Sequence, residues 1–340
     1  MADGGGGRSI RGSGMIMSGR YSRQTILAEV GDAGQARLAG AHVLVVGAGG
    51  LGCAVLEYLT AAGVGRLTIV DPDHVEESNL HRQPLYRMAD LGHLKVQAAQ
   101  TALQQLNPEV RIDVVAGRLG AGNAVHLVTA VDLVVDAADS FAVTYVLSDA
   151  CQGASRPLVS ASVLGLKGYV GVFCAGAPSY RAVFPEMPRQ GGSCATAGVL
   201  GTAVGVMGTL QAHLTLAVLL DLKPPVAGRL LSVDFRTLHM AEISFGNARE
   251  PDESPLRFID PADVTDSDVV IDLRSVTEAP RSPFAAALRT DVETLEARRV
   301  SVPSAPRVVL CCRTGVRAWR AARALTAQGH RNIALIALGE

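Results

Sequence analysis

Short apolar runs and amphipathic stretches alternate along the first half of the chain. Residues 43–46 and 67–70 are apolar and rich in β-branched side chains, which is typical of buried parallel strands. A helix is predicted between them at residues 51–62. The alternation continues with helices at 94–106, 123–129 and 141–152 and with strands at 110–115, 132–135, 157–160 and 167–173. This order predicts an α/β fold with a doubly wound, mostly parallel, Rossmann-like sheet and later antiparallel additions.

A glycine-rich turn joins the first strand to the first helix. Gly47, Gly49 and Gly52 form the pattern G-x-G-x-x-G, with Gly50 inside it. Gly47 permits the tight turn, Gly49 lets backbone N–H groups approach a phosphate, and Gly52 lets the helix pack on the strand. Asp71 ends the second strand, where an acid can hydrogen-bond a ribose. The turn predicts a nucleotide site, and by itself it fits NAD as well as ATP.

Composition divides the chain into segments. Residues 1–19 are rich in glycine and serine and predict a disordered leader. Residues 246–255 have the proline, glycine and charge content of a linker. A smaller α/β unit is predicted at residues 256–340, with strands at 269–273 and 307–311 and a helix at 316–328. The nucleotide-binding domain is then predicted at residues 20–245.

Charge and cysteine usage exclude several function classes. The chain has 31 Lys and Arg against 32 Asp and Glu, a net charge of −1, and aromatic residues are scarce, so a nucleic-acid partner and an anionic membrane are not expected. No C-x-x-C pair occurs among the six cysteines, which excludes a four-thiolate zinc site and favours a reduced, cytoplasmic protein. Residues 190–220 carry no charge; we expect buried helices there, with a dimer interface as one role, rather than a membrane span.

Several motifs in a fixed order carry a family resemblance. They are RYSRQ at 20–24, VVGAGGLG at 45–52, SNLHRQ at 78–83, G-x-x-K at 92–95 and SCATAGVLG at 193–201. Over about residues 20–245 the chain resembles the ThiF/MoeB family of sulfur-carrier adenylyltransferases, relatives of the ubiquitin-activating enzymes. The resemblance implies that ATP and Mg²⁺ are bound, and that the C-terminal Gly-Gly carboxylate of a ubiquitin-like sulfur-carrier protein attacks the α-phosphate. An acyl-adenylate forms and pyrophosphate leaves.

The resemblance also implies roles for single residues. Joining two anions requires a cationic site, and Arg82 and Lys95 match the positions that hold the triphosphate. Arg23 matches the arginine that the partner subunit supplies, which implies a homodimer. The remaining matches are the metal-holding acid Asp139 with its neighbour Ser140, the ribose-binding acid Asp71, and the polar anchors Asn79 and Gln83. Arg82, Lys95 and Arg23 could instead be surface charges. Asp136 rivals Asp139 for the metal, and either acid could cap the following helix. The family usually has Thr and Asn where this chain has Ala138 and Ser140.

Two further features concern sulfur and zinc. Cys194 matches the cysteine of the family's crossover loop, which can form a thioester or an acyl-disulfide with the carrier; the alternative is a small residue before an apolar helix. Family members commonly hold structural zinc with two C-x-x-C pairs. The first pair falls on residues 179–182 and the second on a cysteine-free segment before Pro255. Zinc is therefore predicted to be absent.

The smaller unit resembles a shortened rhodanese module. The resemblance rests on VIDLR at 270–274 and CRTGVR at 312–317. It implies that loop N–H groups, with Arg313 and Arg317 nearby, stabilise a persulfide on Cys312, supplied by a sulfur donor of the cysteine-desulfurase type. The usual histidine-containing segment is not recognisable in residues 278–301, and Cys311 could oxidise with Cys312. An inactive docking domain is the alternative.

Several functions remain open from the sequence. The leading hypothesis is adenylylation of a carrier of the thiamine pathway (ThiS-like), with a molybdopterin-pathway carrier (MoaD-like) or a tRNA base carboxylate as alternative targets. A second hypothesis is a non-catalytic adaptor that binds nucleotide and carrier. A third, a dinucleotide oxidoreductase, rests on the glycine pattern and Asp71.

Overall fold

The computed structural model describes residues 19–188, 198–251, 256–303 and 305–339. Eight strands form a large sheet in the order β3-β2-β1-β4-β5-β6-β7-β8. They are β1 His42–Val46, β2 Arg66–Val70, β3 Arg111–Val115, β4 Leu133–Asp136, β5 Leu158–Leu164, β6 Lys167–Phe173, β7 Arg229–Asp234 and β8 His239–Ser244. Strands β3, β2, β1, β4 and β5 pair in parallel, and β6, β7 and β8 are added antiparallel. The predicted α/β fold with a mostly parallel sheet and antiparallel additions is confirmed.

Helices cover both faces of this sheet. They are α1 Ser22–Thr25, α2 Gly31–Gly40, α3 Gly50–Ala61, α4 Lys95–Leu106, α5 Ala121–Thr129, α6 Phe141–Ala154, α7 Tyr180–Val183 and α8 Gly201–Leu220. One face packs against α3, α4 and α8 through a single apolar cluster. The other face packs against α5 and α6. The nucleotide-binding crevice of such a sheet is expected between β1 and β4, where the strand order reverses direction.

Helix α8 is the most apolar helix among the described residues. It is long and apolar enough to cross a membrane by length and composition, and half of its most apolar window is buried inside the protein. It approaches α3 closely, because a Cβ on Gly208 would lie 2.6 Å from the carbonyl oxygen of Leu51. Residues 189–197, which include the start of the uncharged stretch at residue 190, lie outside the described residues.

A second sheet is formed by the C-terminal residues. Its five strands run in the order β11-β10-β12-β13-β9 once they are numbered as β9 Arg257–Phe258, β10 Asp268–Asp272, β11 Leu288–Arg289, β12 Arg307–Cys312 and β13 Ile333–Ala337. All pairings are parallel. Helices α9 Val292–Glu296 and α10 Val316–Ala327 accompany it. The two sheets lie on either side of the predicted linker, and the domain boundaries themselves stay a prediction.

The two sheets share one hydrophobic cluster. It joins Tyr145 of α6 to Phe258, Trp319 and Cys312 of the C-terminal unit. The rings of Tyr145 and Trp319 lie 5.0 Å apart, and the guanidinium of Arg181 lies over both rings, 4.7 Å and 5.6 Å from their centroids. The C-terminal unit is therefore docked on the α5–α6 face of the large sheet.

Candidate active site

The glycine turn lies at the carboxyl ends of β1 and β4. Gly47 has a φ of 99°, and a Cβ there would lie 2.5 Å from the carbonyl oxygen of Ala137. A Cβ on Gly52 would lie 2.0 Å from the carbonyl oxygen of Gly47, and one on Gly50 would lie 2.5 Å from Val204 of α8. The turn is therefore closed on both sides by backbone and α8. Helix α3, with 12 residues, directs its free N–H groups out of this turn.

Asp71 braces the turn from the end of β2. Its carboxylate accepts hydrogen bonds from the N–H of Ala48 at 2.7 Å and of Asp73 at 2.8 Å. Burial raises the pKa of Asp71, although the Lys95 ammonium and these two N–H groups act in the opposite direction. The acid predicted to bind a ribose thus already holds the backbone on which the phosphates would rest.

Lys95 lies beside Asp71 and begins helix α4. It is buried, and its Nζ donates to the exposed carboxylate of Asp73 at 2.8 Å. The Lys95 ammonium thus lies between the carboxylates of Asp71 and Asp73 at the carboxyl ends of β1 and β2. The partner Asp73 was not singled out from the sequence, although it stands two residues after Asp71.

Arg82 lies against the first turn of α3. Its Cγ and carbonyl oxygen come within 3.6 Å and 3.1 Å of the position that a Cβ on Gly50 would take. The guanidinium donates to Asn79 Oδ1 at 2.7 Å and to the Ser78 carbonyl at 3.2 Å, and it contacts His81 Nε2 at 2.9 Å. None of these partners is a carboxylate.

Gln83 is buried behind the turn. Its Nε2 lies 3.8 Å from the position that a Cβ on Gly49 would take, and its Oε1 has no hydrogen-bond partner within the described ranges. An unsatisfied buried oxygen is costly unless a ligand or a water completes it. Gln83 is therefore placed to serve as the predicted polar anchor. Asn79, the other predicted anchor, is engaged by Arg82 and by Glu76.

Asp136 at the end of β4 and Asp139 in the following loop differ in burial. Asp136 is fully buried and accepts hydrogen bonds from the hydroxyls of Thr144 and Ser160. Asp139 is exposed in the loop that leads to α6. Ser140 is the N-cap residue of α6, and its side chain forms no capping hydrogen bond. Asp136 binds the Thr144 hydroxyl rather than the free N–H groups of α6, so the exposed Asp139 is the acid that a ligand can reach.

Arg23 lies near the amino ends of the parallel strands, opposite the glycine turn. The neighbouring Tyr21 donates to Glu109 and accepts from Asn107, and Gln24 donates to the carbonyl of Ala62. These contacts are at the C-terminal ends of α3 and α4, where the parallel strands begin. A 12-residue helix is about 18 Å long, which is more than an arginine side chain can span. Arg23 is exposed and lies away from the other predicted site residues.

Comparison with known proteins shows the family of this chain. Residues 21–254 match the ThiF family. The chain belongs to the ThiF family. It is 48% identical over 223 residues to the sulfur carrier protein adenylyltransferase of Thermus thermophilus, which covers 63% of this chain and 82% of that protein.

The MOCS3 relatives are longer than this chain. The bovine adenylyltransferase and sulfurtransferase MOCS3 is 50% identical over 218 residues, 63% of this chain and 48% of MOCS3. The chain thus spans about half the length of the MOCS3 relatives. Among solved structures, Escherichia coli MccB with AMPCPP and MccA has a TM-score of 0.60 at 21% identity, over 71% of this chain and 75% of MccB. That likeness shows the fold alone.

The first of the two expected zinc-binding pairs falls on residues 179–182, which make other contacts. The backbone N–H and the hydroxyl of Ser179 donate to the two carboxylate oxygens of Glu250 at 2.7 Å and 2.6 Å. Arg181 binds Asp149 and the carbonyl of Leu256. Among the described residues, no group of three or more His, Cys, Asp and Glu could hold a metal. The predicted absence of zinc stays a prediction.

The two predicted sulfur positions differ in what the structure describes. Cys194 lies outside the described residues. Cys312 ends β12 and is fully buried, and its Sγ accepts hydrogen bonds from the N–H of Gly315 at 3.1 Å and of Ala318 at 3.4 Å. Arg317, expected to act on the thiolate, is also ion-paired with Glu278 and donates to the Leu273 carbonyl.

Some functional contacts could not be read from the sequence. Gln211 of α8 donates to the carbonyls of Asp136 and Val159, and Tyr86 donates to the carbonyl of Ala48 in the glycine turn. Both are distant in sequence from the backbone that they hold. A glutamine inside an uncharged helix was the available signal for Gln211.

Proposed function

We propose that this protein uses ATP to adenylylate the C-terminal carboxylate of a ubiquitin-like sulfur-carrier protein. The observation that carries the proposal is the placement of Arg82 against the first turn of α3, with Lys95 beside the neighbouring strand end. The names of relatives that are 42–50% identical point the same way.

The chemistry follows from these charges. A carboxylate and a triphosphate repel each other, so the reaction needs cations and backbone N–H groups that are already in position. The N-terminus of α3 would hold the phosphates, and Arg82 and Lys95 would balance the charge that grows on them. Gln83 would donate or accept at the glycine turn. No nucleophilic side chain is required for adenylylation.

A magnesium ion fits the acid that the loop presents. Mg²⁺ is usually bound by one or two carboxylates together with substrate phosphates and waters, so a single exposed Asp139 suits it. Asp139 would hold the ion, which supplies charge neutralisation at the phosphates. Asp136 does not fit this role, because its carboxylate is buried and already accepts several hydrogen bonds.

The decisive experiment is ATP–pyrophosphate exchange with candidate carriers. We expect exchange with a carrier that ends in Gly-Gly and none with the same carrier lacking both glycines. Arg82→Ala should lower kcat by about 10²- to 10³-fold, the usual cost of removing one donor at a charge-developing centre. Arg87→Ala, in the same loop and exposed, is the matched control and should retain activity. Absence of exchange with ThiS-like and MoaD-like carriers alike would contradict the proposal.

The site is completed by a second copy of the chain. Helix α8 has no charged residue, and Val206 is exposed on it. Its N-terminus contacts the loop of His81 and Arg82, and its C-terminus contacts α2, next to Arg23. A twofold axis across the middle of α8 would exchange these ends and bring Arg23 of each subunit to the other subunit's site. We therefore propose a homodimer with Arg23 acting in the partner's site.

Mixing two inactive variants tests this arrangement. Arg23→Ala and Arg82→Ala leave one intact site in each mixed dimer and none in either parent dimer. Random co-assembly should restore about a quarter of the wild-type exchange activity. Co-expression with separable tags and light scattering would establish the dimer. A monomer, or mixed dimers without activity, would contradict it.

A second activity is proposed for the C-terminal unit. The N–H groups of Gly315 and Ala318 that surround Cys312 Sγ would stabilise an anionic sulfur, which supports sulfur transfer from a donor of the cysteine-desulfurase type. Mass spectrometry after incubation with such a donor should show one added sulfur on Cys312. An unmodified Cys312 would favour the alternative of an inactive docking domain. The carrier's pathway, thiamine or molybdopterin, would follow from which carrier supports exchange.

The remaining alternatives have simple tests. A non-catalytic adaptor would bind ATP and carrier without exchange, and Arg82→Ala would leave its cellular role intact. A dinucleotide oxidoreductase would bind NAD with a change in nicotinamide fluorescence. Membership of the ThiF family favours neither, and Arg82 against the first turn of α3 supports the binding of a triphosphate.

A further inference from the structure

Asp136 is a buried acid for which the adenylylation chemistry has no direct use. It ends β4, next to β1, and is fully buried, whereas Asp139 three residues later is exposed. Burying a carboxylate costs free energy of folding unless hydrogen bonds compensate for the lost water. The contacts of Asp136 show what this carboxylate does.

Donors from several elements converge on Asp136. Its Oδ2 accepts from the hydroxyl of Thr144 in α6 at 2.7 Å and from the hydroxyl of Ser160 in β5 at 2.9 Å. Its Oδ1 accepts from the N–H of Ala138 at 3.3 Å, within the loop that carries Asp139. Its carbonyl oxygen accepts from Gln211 Nε2 of α8 at 2.6 Å. One residue therefore fixes the base of the loop against α6, β5 and α8.

The same loop base is also locked to the glycine turn. The N–H of Ala137 donates to the carbonyl of Val46 at 2.8 Å, and the carbonyl of Ala137 occupies the space that a Cβ on Gly47 would need. A shift of Asp136 would therefore move the loop of Asp139 relative to the turn on which the phosphates rest.

We propose that Asp136 is a positioning residue, which anchors the loop so that Asp139 reaches the metal bound to the triphosphate, with Gln211 as its second anchor. The proposal rests on the proposed function, since it takes Asp139 as the metal-holding acid. Groups that orient a metal ligand typically change metal affinity or activity 10- to 100-fold when they are removed.

The test compares Asp136→Ala with Asp136→Asn in the full-length protein. The alanine removes every side-chain acceptor. The asparagine keeps an amide oxygen for the Ala138 N–H, and the hydroxyls of Thr144 and Ser160 can rotate to accept from its NH₂ group. The first measurement is Mn²⁺ affinity by electron paramagnetic resonance in the presence of a non-hydrolysable ATP analogue. The second is kcat and KM for ATP in pyrophosphate exchange.

We expect Asp136→Ala to weaken Mn²⁺ binding and to lower kcat by about 10- to 100-fold, with little change in KM for ATP. Asp136→Asn should recover most of the Mn²⁺ affinity and most of kcat. Asp272→Asn is the matched control, because Asp272 is also fully buried at the end of a parallel strand but belongs to the C-terminal sheet. It should leave Mn²⁺ affinity unchanged.

The outcomes separate the two levels of inference. Unchanged Mn²⁺ affinity in a folded Asp136→Ala variant, or an Asp136→Asn variant as impaired as Asp136→Ala, overturns the positioning role. Unchanged Mn²⁺ affinity in Asp139→Ala overturns the metal role itself and the positioning role with it. If Asp136→Ala does not fold, Gln211→Met removes the hydrogen bonds to the carbonyls of Asp136 and Val159 and leaves the Asp136 carboxylate in place. It should then shift Mn²⁺ affinity in the same direction, and no shift would overturn the proposal.

Discussion

At the scale of single residues, Asp136 makes stability depend on pH. Burial raises its pKa to about 6 from the ordinary 3.8, against the effect of the hydroxyls of Thr144 and Ser160 and the N–H of Ala138, and the nearby Asp139 raises it further. The folded state therefore binds the proton more tightly than the unfolded state does. The stabilisation from protonation is fully present below about pH 4 and is lost as pH rises through about 6.

Comparison with Asp136→Asn isolates this effect. Relative to the asparagine variant, the wild-type protein should lose up to about 3 kcal/mol of unfolding free energy between pH 4 and pH 7, since each pKa unit corresponds to about 1.4 kcal/mol. Urea unfolding of both proteins at several pH values measures the difference. A difference that stays constant with pH would show that Asp136 does not titrate in this range.

The residues of the site divide by how far their partners lie in the sequence. Gly47, Gly52 and Arg82 could be chosen from the sequence because glycine spacing and one short motif carry their geometry. Gln211 could not, because its partner Asp136 is 75 residues away and becomes a neighbour only when α8 packs on the sheet. The choice between Asp136 and Asp139 also depended on burial, which their spacing alone does not reveal.

At the scale of elements, hydrophobic runs predicted the parallel strands β1 to β5 well, but not β8, β13 or the two-residue strands β9 and β11. β1 and β2 are apolar runs that end at a glycine or an acid, which marks their boundaries. β9 and β11 have two residues each, and their pairing with β13 and β10 is imposed by the sheet rather than by local pattern. A two-residue segment is too short for a periodicity to be detected.

Two hydrogen bonds from Ser179 to Glu250 join the start of α7 to the chain after β8. No local sequence pattern marked either segment. Glu250→Ala removes the acceptor for two hydrogen bonds, including the backbone N–H of the N-cap residue of α7. We expect a loss of about 1 to 2 kcal/mol in unfolding free energy, because hydrogen bonds to charged groups are stronger than neutral ones. Chemical denaturation measures this loss.

Glu242→Ala is the control for this prediction. Glu242 is an exposed glutamate on β8 that pairs with Arg229 at 3.3 Å, and its loss should cost less than about 0.5 kcal/mol. Because Ser179 and Glu250 offer no thiolate and zinc is predicted to be absent, EDTA should leave the unfolding midpoint of the wild-type protein unchanged. Stoichiometric zinc in the purified protein, with a midpoint that falls on chelation, would contradict this account.

At the scale of the whole molecule, docking places the Cys312 loop of the C-terminal unit against α6. Gly315, with a φ of 85°, lies so close to its neighbours that a Cβ would be 2.7 Å from the ring of Phe258 and 3.2 Å from Cβ of Ala142 in α6. Cys312 itself is fully buried. The motif at 312–317 did not indicate that its loop lies against α6, because α6 is more than 150 residues away in the sequence.

The burial of Cys312 makes its reactivity a measure of docking. A thiol sealed between two units reacts only in the fraction of molecules in which they separate. Arg181 holds the interface, since its guanidinium lies over Tyr145 and Trp319 and also binds the carbonyl of Leu256. A loss of about 1.4 to 2.8 kcal/mol of docking free energy would raise the separated fraction about 10- to 100-fold.

We therefore expect iodoacetamide to modify Cys312 slowly in the wild-type protein and about 10- to 100-fold faster in Arg181→Ala, as followed by mass spectrometry. Arg323→Ala is the matched control, because its ion pair with Glu186 is largely exposed and should contribute little to docking. Cys311 is an internal reference: it is buried within the C-terminal sheet, and burial raises its pKa to about 12, so it should stay unmodified. Equal rates for Cys312 in all three proteins would show that Arg181 does not govern access to the thiol. If Cys312 is the only cysteine that is modified faster in Arg181→Ala, persulfide loading from a sulfur donor should also be faster in that variant. Iodoacetamide and the sulfur donor both need the two units to separate.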